Sequence, residues 1–283
     1  MNNIPVYARF QWLNHESVKK VLIRFLKPNA RGRKGYDKIY MFCWLMYKQL
    51  MECTYRDLES ITGIDYTTFI KFRKRLSAKN WFADTFTILS SYISKYLNGI
   101  SLILDSSFVE TYSGHDEEGS GYSGYKEKNG YKLHQFIDYK SRLPLLQAVS
   151  AGNVADINGG HRLLNRAPPK WQVKTFAADK GYDSEYFVQS IIEKWNPKVA
   201  IPVRNFKYSG NDLNRAIRRK PRSHDPKLYR QRTEIERYFS RKKNVFNLGE
   251  EKTRHLKNFR DNSYMTSIME ILEWSVKNNV IIG

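Results

Sequence analysis

Within the segment YRQRTEIERYFSRKK, four side chains suited to phosphate chemistry recur at helical spacing: Tyr229, Arg232, Glu236 and Lys243. At about 100° per residue these four fall within an arc of roughly 60°, and Leu228, Ile235, Phe239 and Phe246 group on the adjoining arc. One edge of such a helix packs while the neighbouring edge faces a site. Asp225 and Pro226 supply an N-cap and a first-turn proline, so the helix is expected to begin there and run on through Lys243. Arg232 and Lys243 suit holding phosphate or orienting Glu236, and Tyr229 suits a hydrogen bond to a phosphate oxygen or stacking on a base. The same spacing also fits an amphipathic helix laced by ion pairs, Arg232 with Glu236 at i,i+4 among them. Two more acids stand out because each closes an apolar run: Asp105 in LILDSS and Asp179 in AADKGYDS. For Asp105 the run reads as a buried strand that delivers the acid at its tip.

The order Tyr, two residues, Arg, three residues, Glu, six residues, Lys resembles the signature of insertion-sequence transposases of the DDE type. With LILDSS and AADKGYDS the resemblance spans about residues 100 to 260. It implies that Asp105, Asp179 and Glu236 are the catalytic, metal-binding acids, acting with two Mg²⁺ ions for which Mn²⁺ substitutes. It further implies cleavage at the ends of a mobile element to leave a 3′-hydroxyl, which attacks target DNA, with two copies of the protein working as a homodimer on DNA. The chemistry is coherent, because phosphodiester cleavage needs a hard cation to polarise the phosphate and activate water, and carboxylates are its usual ligands. Relatives that form hairpin ends often carry a β-rich insertion between the second and third acids. The 57 positions from Asp179 to Glu236 leave no room for one. Two other readings stay open: a DNA-binding descendant without activity, and a nuclease of the same fold without strand transfer.

Composition points to the same class of partner. Against 28 Asp and Glu the chain carries 48 Lys and Arg, a formal charge of +20, which suits a polyanion. MNNIPVYARF shows no secretory leader, and the apolar run Met41 to Met46 is far too short to span a bilayer, so a cytoplasmic, nucleoid-associated protein is expected. Cys43 and Cys53 sit in no ligand pattern and are expected as reduced thiols. Gly119, Gly121 and Gly124 satisfy GxGxxG, but acids rather than an apolar strand precede them, and no P-loop motif occurs. A nucleotide cofactor is therefore not expected.

The elements that must position these residues follow from pattern. Residues 17–26, 36–52, 55–62, 66–76 and 81–97 read as helices, an all-α part with helix-turn-helix proportions at TYRDLESITGIDYTTFIKFRKRL. There Thr54 and Asp57 offer a capping box, and Asp65 can cap the second helix. Phe69, Phe72 and Leu76 take its packing face and leave Lys71, Lys74 and Arg75 for DNA phosphates. Strands are expected at ISLILDSS, 130–139, 143–151, 174–178 and 198–203, with helices at 156–165 and 184–195 and a flexible loop over 113–130. That order gives an α/β fold, a mixed sheet flanked by helices, and the resemblance implies that it is ribonuclease-H-like. The expected division is a DNA-binding part over 1–98 and a catalytic domain over 99–283, with a terminal helix at 263–278 packed on the sheet. Lys132 and His134 share strand parity and could face DNA phosphate or the acids. Asn153 and Asp156 stand where the family often has polar residues, although Asp156 also fits a helix cap. Arg218, Arg219, Lys220 and Arg222, with Arg215, form a basic strip ahead of the signature helix.

Overall fold

The computed structural model describes residues 4–27, 35–203, 225–249 and 254–280. The chain divides into two compact units, one formed by 1–96 together with 240–283 and the other by 97–239. This differs from two consecutive domains meeting at residue 98, because the last forty or so residues join the N-terminal helices.

The first unit contains α1 (Glu16–Leu22), α2 (Lys38–Leu50), α3 (Tyr55–Thr62), α4 (Tyr66–Ala78) and α5 (Trp81–Tyr96). Local sequence explains the α3–α4 pair. Thr54 and Asp57 bond each other's backbone N–H as a capping box, Gly63 ends α3 in the left-handed region at φ +70°, and Asp65 accepts from Thr67 N at 2.8 Å to start α4. Leu58, Phe69 and Leu76 are buried between them and their neighbours.

At the centre of this unit lies the C-terminal helix, Leu256–Lys277, which contacts α1 and α5. It was expected to pack on the catalytic sheet, and it belongs instead to the unit of the N-terminal helices. Nearly every residue from Phe259 to Ser275 is buried, polar ones included, so this helix has no solvent face and must be surrounded on all sides. Its buried polar groups find partners within the unit. Lys242 Nζ reaches Glu270 at 2.8 Å and Ser267 Oγ at 2.7 Å, Arg241 pairs with Glu273, and Arg73 bonds Asn262. The rings of Phe86 and Tyr264 pack 5.5 Å apart.

The second unit is built on a sheet of β1 (Ile100–Glu110), β2 (Gly121–Ser123), β3 (Lys128–Asp138), β4 (Pro144–Ala151), β5 (Val173–Ala178) and β6 (Lys198–Ala200). From β3 the order runs β3-β1-β5-β6, with β4 and β2 also paired to β3. β1, β3 and β4 form an antiparallel meander, and β5 and β6 then add parallel to β1, which makes the sheet mixed. Part of the stretch expected as a loop is structured: Gly121–Ser123 pairs with Lys128–Gly130 as a hairpin. The central strand carries the apolar run Ile100, Leu102, Ile103 and Leu104, all buried. α6 (Asp156–Arg166) and α7 (Glu185–Trp195) flank the sheet, Phe187 of α7 packing edge-on to Phe176 of β5. α6 approaches closely because Gly159 has no side chain; a Cβ there would lie 2.2 Å from His134 Nδ1.

Lys242 and Glu270 are both buried, so removing one leaves a buried charge that has lost its ion-pair partner. Lys242→Met is expected to lose about 3–5 kcal/mol of stability, and Lys242→Met with Glu270→Leu to recover most of it. Urea denaturation of the three proteins checks this; equal losses in single and double variants would contradict it.

Candidate active site

Asp105 and Asp179 are brought together by strand register. β1 and β5 run parallel with Leu104 opposite Ala178, so the two acids are the next residues on neighbouring strands, whose axes lie about 4.8 Å apart. Asp105 is not at a strand tip as expected. β1 continues to Glu110 alongside β3, and it is β5 that stops, at Ala178. The pair thus sits at the carboxyl end of a parallel pair, where open sheets leave a crevice.

Burial dominates the electrostatics of Asp105 and pushes its carboxyl up to about 6. The Ser106 N–H, donating at 2.8 Å, and the Arg232 guanidinium pull it back, while Asp179 and Asp156 raise it further. Asp179 begins the turn Lys180–Tyr182 without capping it through its side chain, and accepts a long hydrogen bond from the Tyr229 hydroxyl at 3.4 Å. Tyr182 is fully buried next to these groups. Burial first, then the Asp105 and Asp156 carboxylates, raises its phenol well above the usual range, so it remains protonated.

The signature segment is not one uniform helix. Pro226–Arg230, capped by Asp225, and Thr233–Asn244 are joined by a tightened turn. There Gln231, Arg232, Glu234 and Ile235 each donate to the carbonyl three residues back. Each such step advances about 120° rather than 100°, which changes where Tyr229 points relative to Glu236. Leu228 anchors the first segment against Ala177 and Ala200, at the edge formed by β5 and β6. Glu234 anchors the second through Arg142 at 2.8 Å. Arg232 lies between acids: its Nη1 is 2.8 Å from Glu236 Oε1 and 3.9 Å from Asp105 Oδ2. Burial works against its charge, yet Tyr229, Glu236 and Asp105 hold it above its ordinary range. The i,i+4 pair anticipated from sequence is therefore present, and it is extended to a third residue. Lys243 is half-buried in the last turn of the helix, about 10 Å further along the axis from Glu236.

The other candidates are distributed differently. Residues directly opposed across an antiparallel pair project to the same face, and Ser106 opposes His134 while Phe108 opposes Lys132. Lys132 and His134 therefore share the face of Ser106, under α6, and alternate with Asp105. His134 is completely buried, accepts from or donates to Ser150 Oγ at 2.9 Å, and is lowered to about 4 by burial, so it is a neutral packing residue and does not present itself to phosphate. Lys132 is held by Asp156 at 3.0 Å and by the Val154 carbonyl at 2.9 Å. Asp156 also accepts from Ser106 Oγ at 2.7 Å, and Ala155, not Asp156, occupies the N-cap of α6. Asn153 lies against Gly121, where a Cβ would come within 2.3 Å of its Oδ1. Lys71, Lys74 and Arg75 are exposed on α4, whereas Arg73 turns inward to Asn262 and the Asn258 carbonyl. Arg218, Arg219, Lys220 and Arg222 lie outside the described residues.

The family model for the transposase DDE domain matches residues 99–269, more than half of the chain. The chain belongs to the DDE transposase family. Among solved structures it is similar to a piggyBac transposase in a synaptic complex with hairpin DNA, at 13% identity and a TM-score of 0.43, over 98% of this chain and 77% of that one. No curated protein matches the chain. The mixed sheet of this transposase, a three-stranded meander extended by two parallel strands, has the ribonuclease-H-like order.

DDE transposases work with divalent metal ions, and the residues here can be tested for that chemistry. Asp105 is a desolvated carboxylate with two further acids close enough to raise it, a concentration of negative charge that a cation relieves. That fits an ion on Asp105 and Asp179. Glu236 is turned toward Arg232, and among the described residues no group of three or more His, Cys, Asp or Glu stands ready to hold a metal. Sequence reasoning quoted Tyr182 and Ser106 inside the motifs around Asp179 and Asp105 but gave them no part. Their position one to three residues from an acid was the available signal.

Because the folded transposase holds Asp105 near 6 against an unfolded value near 3.8, it binds extra protons between those values. Stability is thus fullest below about pH 4 and falls as pH rises through 6. In metal-free buffer, Asp105→Asn is expected to be about 1–3 kcal/mol more stable than the parent at pH 7.5 and indistinguishable at pH 4. Denaturation at the two pH values decides it, and a variant less stable at pH 7.5 would refute the desolvation argument.

Proposed function

We propose that the protein moves an insertion element: it binds the terminal inverted repeats, cleaves the DNA there, and joins the freed 3′-hydroxyls to target DNA. The observation that carries this reading is the side-by-side register of Asp105 and Asp179 on parallel strands, with Tyr229 reaching Asp179 and Arg232 lying between Asp105 and Glu236. Asp105 and Asp179, joined by Glu236, would hold Mg²⁺, with Mn²⁺ as a substitute and two ions as the full complement. When bound, such ions polarise the scissile phosphate and make water or a 3′-hydroxyl nucleophilic near neutral pH.

The chain's own residues supply the rest. Arg232 offers a planar fork of donors to phosphate, Lys243 a point charge, and Tyr229 a hydroxyl. Tyr182, kept protonated by burial and by the nearby acids, stays neutral beside them. Lys71, Lys74 and Arg75 on α4 meet the phosphates of the element end in a helix-turn-helix manner, and the basic strip of Arg218, Arg219, Lys220 and Arg222 adds further phosphate contacts. Strand transfer exchanges one phosphodiester for another, so no nucleotide cofactor is required. Two element ends must be joined, which calls for a homodimer on DNA. Among the described residues no helix is long and apolar enough to cross a membrane, and a cytoplasmic, nucleoid-associated protein suits the reading.

The deciding experiment incubates the protein with Mg²⁺ and DNA carrying the inverted repeats that flank its gene. Cleaved and joined products support the transposase reading, cleavage without joining indicates a nuclease, and a mobility shift without chemistry indicates a binding protein. Asp105→Asn, Asp179→Asn and Glu236→Gln should each reduce cleavage by more than about 100-fold, exceeding the 10–100-fold cost of altering an outer-shell group, with DNA affinity retained. A variant that still cleaves removes its residue from the site. Replacing Lys71, Lys74 and Arg75 by Ala should weaken binding and lower the slope of log K against log salt by about 2–3, near 0.9 per lost phosphate contact. An unchanged slope would take α4 off the DNA.

A further inference from the structure

The acids of the proposed site are already engaged by a cation of the chain's own. A single nitrogen of Arg232, Nη1, lies 2.8 Å from Glu236 and 3.9 Å from Asp105. The guanidinium also sits over the Tyr229 ring at 5.7 Å, and the Tyr229 hydroxyl reaches Asp179. Arg232 therefore touches, directly or through Tyr229, each of the three acids. Its Nε is buried and meets no hydrogen-bond partner among the described residues, so the fork of donors is incompletely used in this arrangement. Glu236, by contrast, has a largely exposed side chain.

Resting on the reading of Asp105, Asp179 and Glu236 as divalent-cation ligands, we propose that Arg232 is a placeholder cation. It neutralises Asp105 and Glu236 until a DNA phosphate draws it away, so that DNA binding and metal binding reinforce one another. The physical grounds are two. A carboxylate oxygen bonded to a guanidinium is poorly available to a divalent ion, and the two cations repel each other at such short range, so entry of the ion requires Arg232 to leave. A phosphate is the natural destination, because it accepts two parallel N–H bonds from a guanidinium and employs the Nε–H that is idle in the acid-bound state. Linkage then makes the effect mutual: whatever factor DNA adds to metal affinity, the metal adds to DNA affinity. Off DNA, the protein is thereby a weak binder of divalent ions.

The test measures Mn²⁺ binding to the full chain by the electron paramagnetic resonance signal of free Mn²⁺, with and without a short duplex. The proteins compared are the parent, Arg232→Gln, Arg232→Lys, Asp105→Asn and the exposed control Arg230→Gln. Without DNA, Arg232→Gln should bind Mn²⁺ about five- to tenfold more tightly than the parent, and Arg230→Gln should match the parent. Adding duplex should tighten Mn²⁺ binding clearly more in the parent than in Arg232→Gln, and Mn²⁺ should tighten duplex binding in the parent by the same factor. Should Arg232→Gln fail to fold, Arg232→Lys, which keeps the charge but loses the fork, is expected to lie between the two. Equal or weaker Mn²⁺ binding in a folded Arg232 variant overturns the placeholder role, as does equal tightening in Arg230→Gln, which would reduce the effect to net charge. If Asp105→Asn binds Mn²⁺ as well as the parent, the acid set itself is wrong and the placeholder falls with it.

Discussion

The constraint on which the rest of this structure depends is the holding of two like charges at the ends of adjacent parallel strands. Asp105 and Asp179 are set side by side by the β1–β5 register, and Asp105 is largely removed from water. Neither repulsion nor desolvation favours this arrangement, and it persists because the surrounding structure overdetermines it. The apolar residues Ile100, Leu102, Ile103 and Leu104 fix β1 from within, β3 pairs with it from Leu102 to Glu110, and α6 comes close enough at Gly159 to cover His134 on the opposite face. The destabilising element and its support lie in consecutive residues of one strand, a distribution typical of sites that trade stability for reactivity.

Much of this was readable from the chain. Apolar runs ending in an acid located β1 and β5, and the Thr54, Asp57, Gly63 and Asp65 signals located the α3–α4 pair, because in each case the governing interactions are local. What escaped were features decided by distant partners. The C-terminal helix was expected on the sheet, but Glu270 and Glu273 are buried against Lys242 and Arg241 in the unit of the N-terminal helices, pairings that no short window of sequence contains. His134 and Lys132 were correctly given one face, yet parity does not reveal which face a helix will cover. Asp156 resembled a cap because of its place at a helix start, whereas its side chain is committed to Ser106 and Lys132.

The signature segment shows how a motif and its geometry differ. Uniform helical spacing predicts a continuous stripe, but bonds to the third preceding residue at Gln231 to Ile235 tighten the path between Tyr229 and Glu236. Short stretches of that kind inside helices commonly accompany function. Here the turn seats Arg232 between Asp105 and Glu236 while Tyr229 leans toward Asp179. The conformation of four peptide units thus sorts cation and phenol onto different acids, which the order of letters alone does not specify.

The buried Lys242 lies six positions after Glu236 on the same helix. Along a helix every residue between ammonium and acid counts for about 100° of turn, so their number sets the angle between the two side chains about the axis. Gaining or losing one residue there would swing the carboxylate more than a quarter of the way around the axis. The number of residues in this interval, more than their identity, is what holds ammonium and carboxylate at one angle about the helix axis.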